Sequence, residues 1–392
     1  MKKFYFLLIA AMAFVACDTK EPTPNQSLKL LGEDTTELNF QGWADEVSIT
    51  FSSPVNWMIE KDEDIDWFTV TPPYGVAGSM TIHVAVFDYD GDQKHEGKFS
   101  IVAGNERIDF AITQMSSTDP NSEYVYIEDN NFAAYLVENF DDNNNGRIEK
   151  SEAAAVTRIT CNDREIRSLV GIKSFTSLEG LDCSYNAIEG TLDLSGMENL
   201  KEAYIDHNLY THITLAGCSN LRIVEANDNV EHTPEYTSIF RTESIDLSGC
   251  GELLYLELTD NGITEIDLSE CPKLQALRMT WNALKSIDVT QNPELTHLYV
   301  RKNPDLTGVI DLSNNTKLVE VWCAESKVSG LNLSNDHSSL EKIVSYYSDI
   351  ESLDLSTCPN LRYLEAHGMK LTSIDLTQCS KLDYLWLKFN AI

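Results

Sequence analysis

One repeated pattern fills the carboxy-terminal part of the chain and limits its fold more than any other feature. Over residues 156–392 a leucine-rich unit recurs about every 21 residues. The starts are 21 to 23 residues apart, except for one spacing of 32 after Leu221. A fixed period of this length predicts a solenoid, because one coil cannot bury its own apolar side and must stack on its neighbours. The units start at Val156, Leu178, Leu200, Leu221, Leu253, Leu274, Leu295, Leu318, Leu340, Leu361 and Leu382.

Each unit contains the same internal pattern. The third and fifth residues after a start, such as Leu256 and Leu258, are apolar and their neighbours are mostly polar or aromatic, which predicts a half-buried strand. A later apolar-x-apolar segment, Ile-Asp-Leu-Ser in the best units, predicts a second short piece on the opposite wall. An asparagine recurs at the bend, where its amide can satisfy backbone groups that the turn leaves unpaired. These residues are Asn186, Asn208, Asn229, Asn261, Asn282, Asn303 and Asn390.

This pattern resembles the leucine-rich repeat family, specifically the short-repeat surface proteins of Bacteroidetes and, more distantly, the internalins. The resemblance implies a solenoid of about eleven coils with one long parallel sheet. It implies a fold and does not identify a ligand.

The outer face of this sheet is the predicted ligand-binding surface. Eleven strands spaced by about 4.8 Å give a sheet about 50 Å long. Its outward residues are the second, fourth, sixth and seventh after each start, and the last seven coils place many aromatic and basic residues there. Such residues are enriched at interfaces, although aromatic residues also favour strands for local reasons. We predict ligand contacts at Tyr255, Arg278, Trp281, Tyr299, Trp322, Tyr346, Tyr363 and Trp386.

A candidate metal site precedes the repeats. Residues Asp141 to Glu152 match the pattern D-x-[DN]-x-[DN]-G-x5-E without a mismatch and resemble a single EF-hand. The resemblance implies a weak structural Ca2+ site, with a dissociation constant of about 0.1 to 1 mM. A degenerate turn that no longer binds is the alternative. Helices are expected at about Asn131–Phe140 and from Ser151 to about Val156, so that residues 129–155 cap the solenoid. The predicted ligands are Asp141, Asn143, Asn145, the Arg147 carbonyl, Glu149 and Glu152.

Residues 28–116 predict an all-β module followed by a linker at 117–128. Trp57, Trp67 and the segment Thr71-Pro72-Pro73-x-Gly75 resemble the BACON domain, which implies an immunoglobulin-like sandwich and suggests glycan binding. The two tryptophans are expected in the core. Trp43 and Tyr74 lie in predicted turns and are the contact candidates, although the module can equally act as a spacer. Asp88–Asp92 is predicted to be a hairpin turn. The expected strands are 37–40, 47–52, 57–60, 67–71, 80–86, 98–103 and 108–114.

The amino-terminal residues predict an export signal. Lys2 and Lys3 precede the apolar stretch Phe4–Val15, as in a signal peptide over residues 1–16. The end of this stretch, Phe14 to Cys17, resembles a lipobox, which implies lipid attachment at Cys17 and a tether over residues 17–27. An ordinary secretory peptide with a chance cysteine is the alternative. The expected location is the cell outer membrane, with a lipid anchor and the protein exposed at the surface.

Charge and cysteine placement exclude several classes of function. The chain has 62 acidic and 29 basic residues and a net charge of -33, which argues against nucleic acid and anionic lipid partners. Eight further cysteines occupy repeat positions and are expected to be buried thiols. Disulfides between adjacent coils, such as Cys250 with Cys271 or Cys358 with Cys379, are the less favoured alternative.

No catalytic motif accompanies the repeats. The sequence lacks H-E-x-x-H, G-x-S-x-G, a P-loop and C-x-x-C. We therefore predict a non-catalytic surface lipoprotein that binds a macromolecule, preferably an extracellular protein, through the aromatic-rich sheet. A glycan-binding accessory lipoprotein of a polysaccharide-utilisation system is the alternative. The sequence does not indicate an oligomeric state.

Overall fold

The computed structural model describes residues 27–32, 35–40, 42, 44–62, 64–87, 89, 94–116, 123–232, 238–240 and 242–392. The chain divides into two compact units, residues 1–122 and 123–392, and each unit has its own apolar core. Several predicted features lie outside the described residues. They are the signal peptide, Cys17 and the tether up to residue 26, Trp43, residues 117–122 of the linker, and the Asp88–Asp92 turn apart from Tyr89.

The first unit consists of two sheets packed on one core. One sheet has the order β1-β3-β7-β5 and the other has the order β2-β9-β8-β4-β6. Phe51 of the first sheet lies 4.8 Å from Trp57 of the second, measured between ring centroids. The described strands are β1 Lys29–Leu30, β2 Glu37–Phe40, β3 Asp45–Ser53, β4 Trp57–Lys61, β5 Phe68–Thr71, β6 Tyr74–Gly75, β7 Gly78–Val86, β8 His95–Ala103 and β9 Glu106–Gln114.

All seven expected strands are present in this unit, and two short ones were missed. The prediction of a turn at Tyr74 is wrong, because this residue lies in β6 and pairs with Met58 of β4. Trp57 is buried as expected. Trp67 precedes β5 instead of starting it, and its partly buried ring packs against the core.

A pair of helices opens the second unit. Helix α1 spans Asn130–Phe140 and α2 spans Lys150–Ala155, each within about a residue of its predicted bounds. The Asp129 side chain accepts a hydrogen bond of 2.8 Å from the Phe132 N–H and so caps α1. The buried face of α1 includes Tyr135, which the sequence analysis did not anticipate. The Tyr135 hydroxyl accepts a bond of 2.9 Å from the Thr160 N–H at the first solenoid strand, so that α1 covers this edge of the sheet.

Eighteen short strands follow among the described residues. They are β10 Arg158–Thr160, β11 Gly180–Asp182, β12 Glu189–Asp193, β13 Glu202–Tyr204, β14 Leu209–Thr214, β15 Ile223–Glu225, β16 Val230–His232, β17 Ser238–Phe240, β18 Ser244–Asp246, β19 Tyr255–Glu257, β20 Ala276–Arg278, β21 His297–Tyr299, β22 Thr307–Asp311, β23 Glu320–Trp322, β24 Lys327–Asn332, β25 Lys342–Val344, β26 Tyr363–Glu365 and β27 Tyr384–Trp386.

Eleven of these strands form one parallel sheet in the order β10-β11-β13-β15-β19-β20-β21-β23-β25-β26-β27. Every strand occupies the second to fourth residues after a predicted start, so the repeat alignment is confirmed in all eleven coils. The middle residue of each strand is fully buried from Ile159 to Leu364, whereas Leu385 of β27 is exposed. The unit is therefore a β-solenoid of the leucine-rich-repeat type, and the chain as a whole is mainly β.

The opposite wall is less regular than predicted. Strands form there only as the sheet β12-β14-β18 and the pair β22-β24, and the other described coils cross this wall largely without regular secondary structure. Apolar residues are buried in both situations, as Leu192 in β12 and Leu268 outside a strand show. The irregular coils are still joined by scattered backbone bonds, such as the one of 3.1 Å from the Ala283 N–H to the Ile263 carbonyl, so this wall does not require continuous strand pairing.

The longest unit carries an inserted hairpin, and the cysteines lie in the core. Strands β16 and β17 pair antiparallel within the unit whose spacing is 32 residues. All eight described cysteines are buried free thiols, as the favoured interpretation of the repeat positions expected. Among the described residues, no helix combines the length and apolar character needed to cross a membrane.

Asparagine side chains join the bend to the preceding coil in seven of the eleven described coils. The Asn303 Nδ2 group donates to the Val300 carbonyl of its own coil at 2.9 Å and to the Met279 carbonyl of the preceding coil at 2.8 Å. Its Oδ1 atom accepts from the Leu284 N–H at 3.0 Å. Asn186, Asn282 and Asn390 donate to the preceding coil and accept from it in the same way.

Replacement of Asn303 by alanine tests this role. Asn303→Ala removes three buried hydrogen bonds and leaves buried backbone groups unpaired, so we expect a loss of about 2 to 4 kcal/mol in the free energy of unfolding. Urea denaturation followed by circular dichroism measures this loss. Asn314→Ala is the matched control, because that exposed amide makes one bond of 3.2 Å. Equal losses in the two variants would contradict the structural role of Asn303.

Candidate functional site

The strand register arranges the outward side chains in columns. Glu257, Arg278, Tyr299 and Trp322 follow one another across four adjacent strands at the fourth position of their coils. A second column at the sixth position contains Arg301, Tyr346 and His367. Every predicted contact residue lies on this face, which we call the aromatic face. It comprises Tyr255, Arg278, Trp281, Tyr299, Arg301, Lys302, Trp322, Lys342, Tyr346, Tyr363, His367, Tyr384 and Trp386.

Contacts between neighbouring coils hold the rings of the aromatic face in place. The Tyr299 and Trp322 rings meet edge to face at 5.4 Å between centroids. Both side chains donate to the Glu320 carboxylate, from the Tyr299 hydroxyl at 3.1 Å and from Trp322 Nε1 at 3.0 Å. Lys342 Nζ lies 4.6 Å from the centroid of the Trp322 ring and 4.7 Å from that of Tyr363. A ligand would therefore meet a surface whose side chains are already ordered.

One residue of this face does not point into solvent as predicted. The His367 ring is stacked between the rings of Tyr346, at 4.8 Å, and Trp386, at 3.9 Å. The side chain is only 6% exposed as a result. Its outward position in the coil was predicted correctly, but the pattern of one coil does not show that the neighbouring rings cover it.

The tyrosine hydroxyls of the face act as hydrogen-bond donors. Burial, together with hydrogen bonds to Glu320 and Glu325, raises the pKa of Tyr299 and Tyr346 to about 12. Burial and hydrogen bonding to Glu257 and Glu365 also raise the pKa of Tyr255 and Tyr363. All four hydroxyls therefore stay protonated at physiological pH.

The seventh residue of each coil lies along one edge of this face, which we call the rim. Every described coil bends there through the left-handed region, with φ between 49° and 64°. This conformation costs a residue other than glycine about 1 kcal/mol, yet several coils place a large ring there. Tyr185, Trp281, Tyr347 and Phe389 occupy this position, and each is exposed, between 46% and 65%. Of these four residues, only Trp281 was among the predicted contact residues. The other three could have been found in the sequence, because they occupy the same seventh position of the aligned repeats.

A hollow lies at the centre of the face. It has a volume of about 450 Å³ and is open to solvent. Trp281 stands at its edge, with Lys302 Nζ 3.5 Å from the ring centroid. The lining residues are Glu257, Thr259, Asp260, Arg278, Thr280, Trp281, Tyr299, Arg301 and Trp322.

The amino-terminal half of the sheet carries a cluster of acidic side chains besides the rings of Tyr185, Tyr204 and His207. Glu225 and Glu257 pair on adjacent strands, and Asp206 lies beside them. Burial raises the pKa of Asp206 and Glu225, and the neighbouring carboxylates raise it further. The outer surface is therefore divided into an acidic half and an aromatic half that contains cations.

The predicted calcium loop is shaped by its own side chains. The two Asp141 carboxylate oxygens accept from the N–H groups of Asn145, at 3.1 Å, and Gly146, at 2.7 Å. The Glu152 carboxylate accepts from the N–H groups of Asp142 and Glu149, both at 2.9 Å. These bonds close the loop between α1 and α2 around a set of oxygen atoms.

This loop is not isolated, although the sequence showed no partner hand. The Val125 N–H donates to the Ile148 carbonyl at 2.8 Å, and the Lys150 N–H donates to the Glu123 carbonyl at 2.8 Å. The segment before α1 thus supplies the strand-like pairing that stabilises the loop. This pairing was not predicted, because the segment before α1 has no recognisable sequence motif; the prediction of a single EF-hand-like loop without a second hand stays a prediction.

The donor set of the loop suits a hard cation. Carboxylate and amide oxygens are the ligands that Ca2+ prefers. Hydrogen bonding to Glu152 lowers the pKa of Glu149, whereas burial raises the pKa of Glu152. The side-chain amides of Asn143 and Asn145 donate to Glu149, and these amides would have to rotate to present oxygen. No group of three or more His, Cys, Asp and Glu in the described residues is arranged as a metal site by itself.

A pair of asparagine substitutions tests the backbone cost at the rim. Trp281→Asn places a residue that tolerates left-handed backbone at φ 57°, so strain relief of about 1 kcal/mol offsets part of the lost ring contacts. We expect a net loss below about 1 kcal/mol in the free energy of unfolding, against more than about 2 kcal/mol for Trp322→Asn in an extended strand. Urea midpoints measure both, and equal losses would show that the bend stores no strain at Trp281.

Comparison with known proteins finds similarity in structure only. No protein family and no curated protein matches the sequence. An internalin (InlF) from Listeria monocytogenes is 21% identical over 67% of this chain and 82% of its own, with a TM-score of 0.46. The functional domain of InlJ from the same species, described as including a cysteine ladder, is 21% identical over 66% of this chain and 73% of its own, with a TM-score of 0.31.

A third structure, the leucine-rich repeat domain of APL1B, is 15% identical over 59% of this chain and 66% of its own, with a TM-score of 0.44. At these identities and TM-scores the similarity supports no statement about a ligand. The assignment of the fold rests on the strand register and the burial of the repeat positions.

Proposed function

We propose that the protein is a non-catalytic binding protein whose aromatic face receives an extended segment of a protein partner. The observation that carries this proposal is the continuity of the face. Its rings and cations touch from Tyr255 to Trp386 across neighbouring coils, and Trp281 and Trp386 remain 46% and 38% exposed. A contiguous band of this kind is characteristic of an interaction surface, whereas single exposed apolar residues are ordinary.

We also propose a location for this binding protein from the amino-terminal sequence. We propose that Cys17 carries a lipid, which would hold the protein at the outer membrane with both units outside the cell. The signal-peptide pattern of residues 1–16 supports this proposal. Its partner would then be an extracellular protein.

A second candidate function belongs to the first unit. Tyr74 is 73% exposed and lies beside Met58, which is 52% exposed, on the outer side of β4 and β6. An exposed ring next to an apolar side chain can stack on a sugar, as the proposed BACON-like, immunoglobulin-like module would require. This surface supports an accessory glycan-binding role as the alternative.

Capture experiments with three tryptophan substitutions distinguish the two candidates. The full chain is immobilised and exposed to secreted proteins and, separately, to a glycan array. We expect Trp281→Ala, Trp322→Ala and Trp386→Ala together to reduce protein capture more than about 10-fold, because aromatic anchors dominate interface energies. Tyr74→Ala is the matched control and should leave protein capture unchanged. Unchanged capture by the triple variant would contradict the proposal, and glycan binding that depends on Tyr74 would favour the alternative.

We further propose that the loop from Asp141 to Glu152 holds Ca2+ and that the ion stabilises the cap of the solenoid. The residues that would hold it are Asp141, Asn143, Asn145, the Arg147 carbonyl, Glu149 and Glu152. When bound, the ion would neutralise the loop carboxylates. The contact of α1 with Thr160 connects this loop to the first coil, which makes the proposed role structural.

Calcium dependence is measurable as thermal stability. With a dissociation constant of about 0.1 to 1 mM, addition of about 5 mM Ca2+ should stabilise the cap by about 1 to 2 kcal/mol. Differential scanning calorimetry in Ca2+ and in EDTA measures this shift. Glu152→Gln should abolish it, whereas Glu198→Gln on an exposed turn should not. An equal transition temperature in both buffers for the unsubstituted protein would remove the calcium proposal.

A further inference from the structure

The hollow of the aromatic face contains a guanidinium that lies between two rings and forms only a long ion pair with a carboxylate. The Cζ atom of Arg278 lies 5.5 Å from the Tyr255 ring centroid and 5.2 Å from that of Tyr299. Its Nε atom is buried and has no hydrogen-bond partner among the described residues. The Oε2 atom of Glu257 is 3.6 Å from Nη1, beyond hydrogen-bond distance. The two rings therefore fix the side chain without satisfying its donors.

Other arginines in the same unit are paired more closely. Both Nε and Nη2 of Arg301 lie 3.0 Å from Glu325 Oε1, and Arg362 Nη2 donates to Asp383 at 2.7 Å. In a chain with a net charge of -33, carboxylates are abundant, so a weakly paired arginine in a hollow is unusual. The side chain of Arg278 is also 43% exposed, which leaves its terminal nitrogens within reach of a ligand.

We propose that Arg278 receives a carboxylate from an aspartate or glutamate of the protein partner. This inference rests on the proposed function of the aromatic face and names the chemistry of one contact. A guanidinium fork matches the geometry of a carboxylate and binds it with two parallel hydrogen bonds. Trp281, Tyr299 and Trp322 line the hollow beside Arg278 and offer apolar contacts to the rest of the acidic side chain.

The charges around the hollow favour a carboxylate over a phosphate. Glu257 and Asp260 also line the hollow. Their carboxylates would repel a doubly charged phosphate more strongly than a singly charged carboxylate. The Arg278 guanidinium carries one positive charge and can neutralise one negative charge. The acidic half of the sheet, with Asp206 and Glu225, favours a partner that is basic elsewhere. The two halves together would fix the direction in which the partner lies along the sheet.

Selection of peptides on the full chain tests the proposal without a known ligand. A random dodecapeptide display library is selected on the immobilised protein, and the enriched peptides are synthesised for calorimetry or fluorescence titration. We expect enriched peptides to contain an acidic residue whose replacement by its amide weakens binding about 10-fold to 100-fold. Arg278→Gln should cause a similar loss, Arg278→Lys a smaller one, and Arg362→Gln less than about twofold, since Arg362 lies outside the face.

The outcomes separate this inference from the proposed function. Peptides that require Trp322 but bind Arg278→Gln normally would overturn the carboxylate contact and leave the binding face intact. Peptides that tolerate both substitutions, or a selection that enriches none, would overturn both proposals. A phosphoserine peptide that binds more tightly than its aspartate counterpart through Arg278 would overturn the choice of carboxylate. Unchanged circular dichroism and urea midpoints for each variant establish that the effects are not due to misfolding.

Discussion

The asparagines at the bends form a ladder of hydrogen bonds from coil to coil, and the solenoid depends on this constraint. This asparagine ladder comprises Asn186, Asn208, Asn229, Asn261, Asn282, Asn303 and Asn390. After each strand the chain must turn sharply, and the turn leaves backbone carbonyls pointing inward without partners. An asparagine such as Asn282 satisfies the Leu258 carbonyl of the preceding coil and accepts from the Ile263 N–H of that coil. The bend of one coil is therefore completed by a side chain of the next. Ser326 and Ser348 replace asparagine in two coils, and their hydroxyls reach only a carbonyl of their own coil.

The same bend also creates the candidate site. The residue one position before the asparagine has left-handed backbone angles, and its side chain turns outward. The strand residues that precede it alternate between core and solvent. The fold thus presents four outward positions in each strand-to-bend segment, and the parallel register repeats them at a constant spacing. Rings placed at these positions meet their counterparts in the next coil, as His367 does between Tyr346 and Trp386.

Repetition explains which parts of the structure were predictable from the sequence. Strand positions and buried residues followed from the period, because eleven copies of one pattern average out local ambiguity. Helix α1 was predicted to within about one residue, because its apolar residues recur at helical spacing. Two features were not predicted, because the pattern of a single coil does not contain them. They are the coverage of His367 by the neighbouring rings and the pairing of Val125 with Ile148. The prediction of strands on the opposite wall was only partly met for a related reason. The apolar residues there are buried whether or not the adjacent backbones pair as strands.

The asparagine ladder, the aromatic face and the helical cap all restrict the motion of coils or side chains. A binding surface made of long side chains normally loses rotamer entropy when a ligand orders it. Here Tyr299, Trp322 and Lys342 are already held by Glu320 and by one another, so most of that ordering occurs during folding. The arrangement requires that successive coils do not slide, since each contact crosses from one coil to another. The continuous parallel sheet prevents sliding throughout the solenoid, the asparagine ladder adds to this in the coils that carry asparagine, and α1 fixes the first strand through Tyr135. Arg278 is ordered by its two rings while its terminal nitrogens stay exposed, so this residue combines a fixed position with unsatisfied hydrogen-bonding capacity.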